Sequence, residues 1–212
     1  MKRTVLLTMW MAVVLAFGAT GATGADDEGW IRLFDGKTFD GWKKAEENPD
    51  AWKIEDGALV CHGNRCHLFY DGPEQPFVNF EFETEVMTTP GSNSGIYIHT
   101  KYQPTDWPKQ GYEVQVNNTH GDPVKTGSLY GVVKIFEAPA EDNKWFKETI
   151  IVQGKKITIK IDGKTVVEYT EPEDNQPEGG FNRELSRGTF ALQAHDPKSK
   201  VSFRNIRVKK LP

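Results

Sequence analysis

Gly111-Tyr-Glu-Val-Gln-Val-Asn117 alternates with a period of two, the signature of a β-strand with one face packed and the other free. Val114 and Val116 point one way, while Glu113, Gln115 and Asn117 share the opposite face. An ordinary solvated strand face looks different, as in Lys156-Ile-Thr-Ile-Lys-Ile161, which offers Lys156, Thr158 and Lys160 to water. Amides beside one carboxylate suit a ligand rich in hydroxyls, because each amide both donates and accepts hydrogen bonds.

Two further segments repeat the pattern. In Asn93-Ser-Gly-Ile-Tyr-Ile-His99 the set Ile96 and Ile98 faces a core, which leaves Tyr97 and His99 on the other side. In Phe190-Ala-Leu-Gln-Ala-His-Asp196 the inward set is Leu192 and Ala194, and Gln193 and His195 share the polar face. If the three strands lie in one sheet, one concave face collects Tyr97, His99, Glu113, Gln115, Asn117, Gln193 and His195. The plainer alternative is the polar side of a half-buried antiparallel sheet.

The rest of the chain reads as all-β. No long helical period appears, and short alternating runs are separated by Gly, Pro, Asn and Asp, as in a β-sandwich. Phe80-Glu-Phe-Glu-Thr-Glu-Val86 predicts a strand with Glu81, Glu83 and Glu85 on a solvated outer face. Gln153-Gly154 and Asp162-Gly163 predict hairpin turns between strands from Glu148, Lys155 and Lys164 onward, and a last strand runs from Lys200 to Lys209. Two long loops, Lys101 to Gln110 with Trp107 and Thr170 to Gly188, precede two of the polar-faced strands and are placed to wall a cleft.

Residues 1–25 read as a secretory signal: Lys2 and Arg3, a mostly apolar run of 13 residues from Val5 to Phe17, then small residues to Ala25. The run is shorter than the roughly 20 apolar residues that span a bilayer. Cleavage near Ala25 leaves residues 26–212 as one domain, exported to the periplasm or the medium, without membrane insertion. Losing two cations and no acid takes the formal charge from −4 to −6. A mildly acidic exported domain is a poor partner for nucleic acid or anionic membrane. No glycine-rich phosphate loop is present.

The two cysteines lie in Cys61-His-Gly-Asn-Arg-Cys66. Gly63-Asn64 reads as a hairpin turn, so an oxidising compartment favours a disulfide between Cys61 and Cys66. The flanking His62 and His67 allow a metal reading, although the spacing fits no familiar zinc pattern.

Six motifs in order resemble a known family: Leu33-Phe-Asp-Gly-Lys-Thr-Phe-Asp-Gly-Trp42, Trp52-Lys-Ile-Glu-Asp-Gly-Ala-Leu59, Asn93-Ser-Gly-Ile96, Gly111-Tyr-Glu-Val-Gln115, Thr126-Gly-Ser-Leu-Tyr130 and Val201-Ser-Phe-Arg-Asn-Ile206. Together they resemble the 3-keto-disaccharide hydrolase domain family. The resemblance implies a concanavalin-like jelly-roll β-sandwich of two antiparallel sheets that acts on 3-keto-glycosides, with Asn93, Glu113 and Gln115 in its cleft. The chain departs from the family pattern at His99, where relatives often carry Arg, and at Asn117, where they often carry Asp. The aglycone and any metal requirement therefore stay open; no cofactor is indicated, and a divalent cation is compatible.

The implied chemistry needs a base, an oxyanion stabiliser and an acid. Glu113 and His99 are the expected proton-transfer pair, with the choice of base open. Asn93, Tyr97, Gln115, Asn117, Trp107, Gln193 and His195 are the expected substrate contacts. Glu113-Val-Gln-Val-Asn-Asn118 carries one acid, which speaks against double displacement by paired carboxylates. The competing reading is a carbohydrate-binding module without catalysis, which needs no titratable pair.

Overall fold

The computed structural model describes residues 28–176 and 180–212, so the expected signal segment lies outside the described residues. Among the described residues thirteen strands follow in order: β1 (Trp30–Arg32), β2 (Trp42–Lys44), β3 (Trp52–Glu55), β4 (Ala58–His62), β5 (Cys66–Tyr70), β6 (Phe80–Thr88), β7 (Ser94–Thr100), β8 (Tyr112–Val116), β9 (Phe146–Gln153), β10 (Lys156–Ile161), β11 (Lys164–Thr170), β12 (Thr189–Ala194) and β13 (Lys200–Lys210). They form two antiparallel sheets. The larger runs β11-β10-β9-β6-β13-β4-β3, with β1 also on β13; the smaller runs β2-β5-β12-β7-β8. This is the expected jelly-roll sandwich.

Period-two alternation explains each layer. On β6, Phe80, Phe82, Thr84 and Val86 are buried, whereas Glu81, Glu83 and Glu85 are half-exposed. Two of those acids pair with arginines of β13, Glu83 with Arg207 and Glu85 with Arg204, each at 2.6 Å. The outer face is thus a paired, solvated surface. From the smaller sheet, Phe190 reaches between the layers to Phe82 and Phe80, with ring centroids 4.6 and 4.9 Å apart. Trp42 and Trp52 are core residues, their indole N–H groups donating to the carbonyls of Leu33 and Cys66 at 2.7 and 3.1 Å.

Both predicted hairpins are present. Asp162 and Gly163 adopt φ of 48° and 78° between β10 and β11, the left-handed pair that matches strand twist. The cysteine segment differs from expectation. Cys61 sits on β4 in the larger sheet and Cys66 on β5 in the smaller one, so Gly63-Asn64 crosses between layers instead of turning a hairpin. Both thiols are free and buried. Cys61 contacts the carbonyl of Gln193 at 3.4 Å, and burial pushes its pKa up to about 12; burial likewise takes Cys66 to about 11.

Candidate active site

The outer face of the smaller sheet carries the site. Its cross-strand rows are fixed by register: Gln193 opposite His67, Tyr97 opposite Glu113, and Gly95 opposite Gln115. Side chains in a row project together, so β5, β12, β7 and β8 present one continuous polar floor. A cleft of about 350 Å³ opens above it, lined by Asn93, Tyr97, Trp107, Glu113, Gln115, Gln193 and His195 from the expected set.

Three loops wall the cleft. The Lys101–Gln110 loop lays Tyr102 against Phe69 and Trp107 against His67, with ring centroids 5.3 and 5.6 Å apart, and so covers the β5 side. Arg65 straps this loop down through Asp106 at 3.0 Å and Glu47 at 3.0 Å. The loop before β12 meets it: Asn182 N–H donates to Lys109 at 2.6 Å, and Gly111 N–H donates to Asn182 at 2.9 Å. A third wall was not anticipated. Residues 118–130 fold back on the free edge of β8, where Gln115 N–H donates to Ser128 and Tyr130 N–H to Glu113, both at 2.9 Å. This covers the sheet edge and brings Asp122 and Tyr130 into the cleft.

Glu113 is the titratable centre. Burial pushes its pKa up to about 7, and hydrogen bonds from Tyr97 and Gln193 together with the charge of Arg183 hold it from going further. Gln193 Nε2 donates to Glu113 Oε1 at 2.8 Å and to the Tyr97 hydroxyl at 3.1 Å. Space for the carboxylate is provided by Gly95, where a Cβ would lie 2.4 Å from Glu113 Oε1. The amide oxygens of Asn93 and Gln193 are buried without a hydrogen-bond partner among the described residues. Both belong to cleft-lining side chains and are acceptors in want of a donor.

His195 follows β12 directly. Its Nδ1 lies 2.9 Å from Asp196 Oδ2, and Nε2 of this cleft-lining residue has no hydrogen-bond partner among the described residues. Burial acts to raise the Asp196 pKa, but hydrogen bonds from Ser199, His195 and Lys198 outweigh it and hold this carboxyl below its usual range. The His195 ring lies 5.3 Å from Trp107 and 5.7 Å from His120.

Two expected site residues are elsewhere. His99 does not lie beside Glu113. On β7 four residues, Tyr97 to Thr100, span what β12 covers in three, Ala191 to Thr189, and the extra residue is a bulge. His99 adopts φ 53° there and turns inward, 5.5 Å from the Phe80 ring. Its Nε2 bonds the carbonyl of Val78 at 2.9 Å, and Nδ1 accepts from Ser186 N–H at 3.1 Å. Burial lowers its pKa, so it is a neutral packing residue. Asn117 is fully buried beneath the third wall, donating to Asp122 and Val124 carbonyls at 3.0 and 2.8 Å and accepting from His120 N–H at 2.9 Å. It shapes the loop and does not line the cleft.

Sequence reading missed Arg183, Phe181, Tyr130 and Asp122, all cleft-lining. They come from loops that carry no periodicity; only the Thr126–Tyr130 motif pointed to that wall. In sequence His67 stands out only as a neighbour of Cys66. It is wholly buried beside Trp107 with neither ring nitrogen partnered among the described residues, and burial pushes its pKa down to about 3. No group of three or more His, Cys, Asp or Glu converges to hold a metal ion among the described residues.

The two antiparallel sheets form a jelly roll of the lectin-like and glycosyl-hydrolase-like kind. Comparison with solved structures places it among such folds. A Parabacteroides distasonis protein described as a candidate glycosyl hydrolase superposes with TM-score 0.74 at 22% identity, over 87% of this chain and 95% of that one. The carbohydrate-binding module CBM66 from Bacillus subtilis superposes with TM-score 0.59 at 13% identity, over 80% and 96%. Residues 29–209 match the model of the 3-keto-alpha-glucoside-1,2-lyase-like domain, and the chain belongs to that family. It is also 29% identical over 237 aligned positions to a Bacteroides thetaiotaomicron protein named 3-keto-disaccharide hydrolase, covering 88% of this chain and 80% of that protein.

Proposed function

We propose that the protein cleaves 3-keto-glycosides at C1, with Glu113 and His195 as the proton-transfer pair. The observation that carries this reading is Glu113 itself, a carboxylate on the cleft floor with a pKa near 7 and two neutral donors on it. A group poised near neutral pH exchanges protons readily in either direction. A ketone at C3 acidifies the neighbouring C2 proton. Glu113 takes that proton, and the electron pair runs into the C2–C3 bond and onto the C3 oxygen. When the ketone re-forms, C1=C2 appears, the C1–O bond breaks, and the leaving oxygen takes a proton from His195. Asp196 orients that imidazole through Nδ1. Water added at C1, with a proton returned to C2, completes hydrolysis.

Asn93 and Gln193 supply acceptors for sugar hydroxyls, and Trp107 gives an apolar wall. The family description names a lyase and the Bacteroides relative a hydrolase; the two differ by whether water adds before release. Both names support a keto-sugar substrate. The signal segment expected at residues 1–25 supports export, and among the described residues no helix is long and apolar enough to cross a membrane.

The test is incubation with a 3-keto-disaccharide and with its unoxidised parent, in deuterated water. Cleavage of the keto-sugar alone, with solvent label at C2 of the product, is expected. Comparable cleavage of the parent would replace this mechanism by direct displacement, with Asp122 as the second carboxylate of the cleft. Binding without turnover of either sugar would leave a carbohydrate-binding module.

A further inference from the structure

Deprotonation at C2 turns a neutral ketone into an enolate whose charge rests on the C3 oxygen. An apolar or acceptor-lined cleft would oppose that step, so a donor must face it. Most donors of the floor are already engaged. Gln193 Nε2 serves Glu113 and Tyr97, and Gln115 Nε2 donates to the carbonyl of Val124 at 3.4 Å. The free amide oxygens of Asn93 and Gln193 are acceptors and would repel an oxyanion.

Arg183 is differently placed. It lines the cleft, its guanidinium carries five donors and a permanent charge, and it forms no ion pair with any described residue. The group is nevertheless held. Its carbon lies 5.1 Å over the Phe181 ring, and Gly131 leaves room for it: a Cβ there would stand 3.0 Å from the guanidinium carbon and Nη2. The backbone on either side is tied as well, Asn182 to Lys109 and Gly111, and the Arg183 carbonyl to Asn175 Nδ2 at 2.7 Å. A cation fixed before the charge develops costs no reorganisation during reaction. Its charge also lowers the pKa of Glu113 and so favours the basic form of that carboxylate.

We infer that Arg183 is a catalytic residue that binds the enolate oxygen formed at C3 of the sugar. The inference rests on the 3-keto-glycoside reading and adds to it the anion-stabilising group. Electrons and protons balance without a co-reactant: the C2 proton goes to Glu113, and the charge on the C3 oxygen is held by the guanidinium until it returns to expel the C1 substituent.

Kinetics of Arg183→Gln and Arg183→Lys on a 3-keto-disaccharide test it. The substrate ketone is neutral, so the Gln variant should keep KM within a few-fold while kcat falls about 10²–10³-fold, the usual scale for an oxyanion donor. Lys should fall between Gln and wild type, and millimolar guanidinium should restore part of the kcat lost in the Gln variant. The alkaline shift of its kcat/KM profile should report the loss of a cation beside Glu113. Gly131→Ala gives an independent check, since it displaces the guanidinium while keeping it; Gly131 has φ 76°, so the variant should also melt lower, and kcat should fall at temperatures where circular dichroism shows it fully folded. Unchanged kcat in Arg183→Gln, or a loss confined to KM, would overturn the assignment while leaving the 3-keto-glycoside reading intact. Wild-type protein inert toward every keto-sugar tried would instead remove that reading and this one with it.

Discussion

Gln193 on β12 reaches across β7 to donate a 2.8 Å hydrogen bond to Glu113 on β8, two strands away. Adjacent strands are about 4.8 Å apart, so the two side chains must stretch toward each other over the intervening strand. They can do so because that strand has Gly95 beneath the contact, where any Cβ would collide with Glu113 Oε1. The carboxylate is therefore set by three strands at once.

Replacing Glu113 by Gln should lower kcat/KM about 10²-fold or more while preserving the fold. In the wild type, with Glu113 acting as base, kcat/KM should rise with pH through the region of its pKa, about 7. Stability moves the other way. A carboxyl whose folded pKa is raised from 4.5 to about 7 binds more protons when folded, so stability is fully present below pH 4.5 and is lost as pH rises to about 7. The loss is on the order of 3 kcal/mol, and Glu113→Gln should remove that dependence. Urea melts of both proteins at pH 5 and pH 8 would check the sign.

Gly95→Ala should cut turnover by an order of magnitude or more, since the new methyl displaces the carboxylate it now admits. The kinetic pKa should move with it. A variant with normal kcat and an unchanged pH profile would mean that Glu113 does not act from its present position.

His99→Ala should leave the chemistry largely unaltered and cost about 1–3 kcal/mol of stability, because the buried ring's two hydrogen bonds, with the Val78 carbonyl and the Ser186 N–H, are both lost. Denaturant unfolding and steady-state kinetics on one preparation separate the two effects. A large loss of kcat at unchanged stability would return His99 to the reaction.

Cys61 and Cys66 should both react with iodoacetamide after unfolding without reductant, and hardly at all in the folded protein, where both thiols are buried and their pKa values raised. Intact mass spectrometry reads the number of adducts. A protein two mass units lighter and inert to alkylation until reduced would establish the disulfide instead.

His195→Ala should reduce turnover on substrates with poor leaving groups far more than on those with good ones, because an acid matters most where the departing oxygen is basic. Asp196→Asn should produce a weaker version of the same pattern by loosening the 2.9 Å contact that orients the ring. Equal losses on both classes of substrate would place His195 outside the acid's role.

Much of this protein was determined by local pattern. Alternation along 111–117, 93–99 and 190–196 identified the strands, and it correctly put Tyr97, Glu113, Gln115 and Gln193 on one face, since side-chain direction in a strand depends only on the pleat. The same rule failed at His99, where a single extra residue on β7 reversed the direction, and bulges have no signature in alternation. It failed for Cys61 and Cys66 because a Gly-Asn turn signal does not say whether the chain returns in the same layer or crosses to the other. Only the tertiary structure brought Arg183, Tyr130 and Asp122 to Glu113. Loops owe their positions to long-range ties such as Asn182 with Lys109 and Ser128 with Gln115, and those contacts join residues that no local period relates.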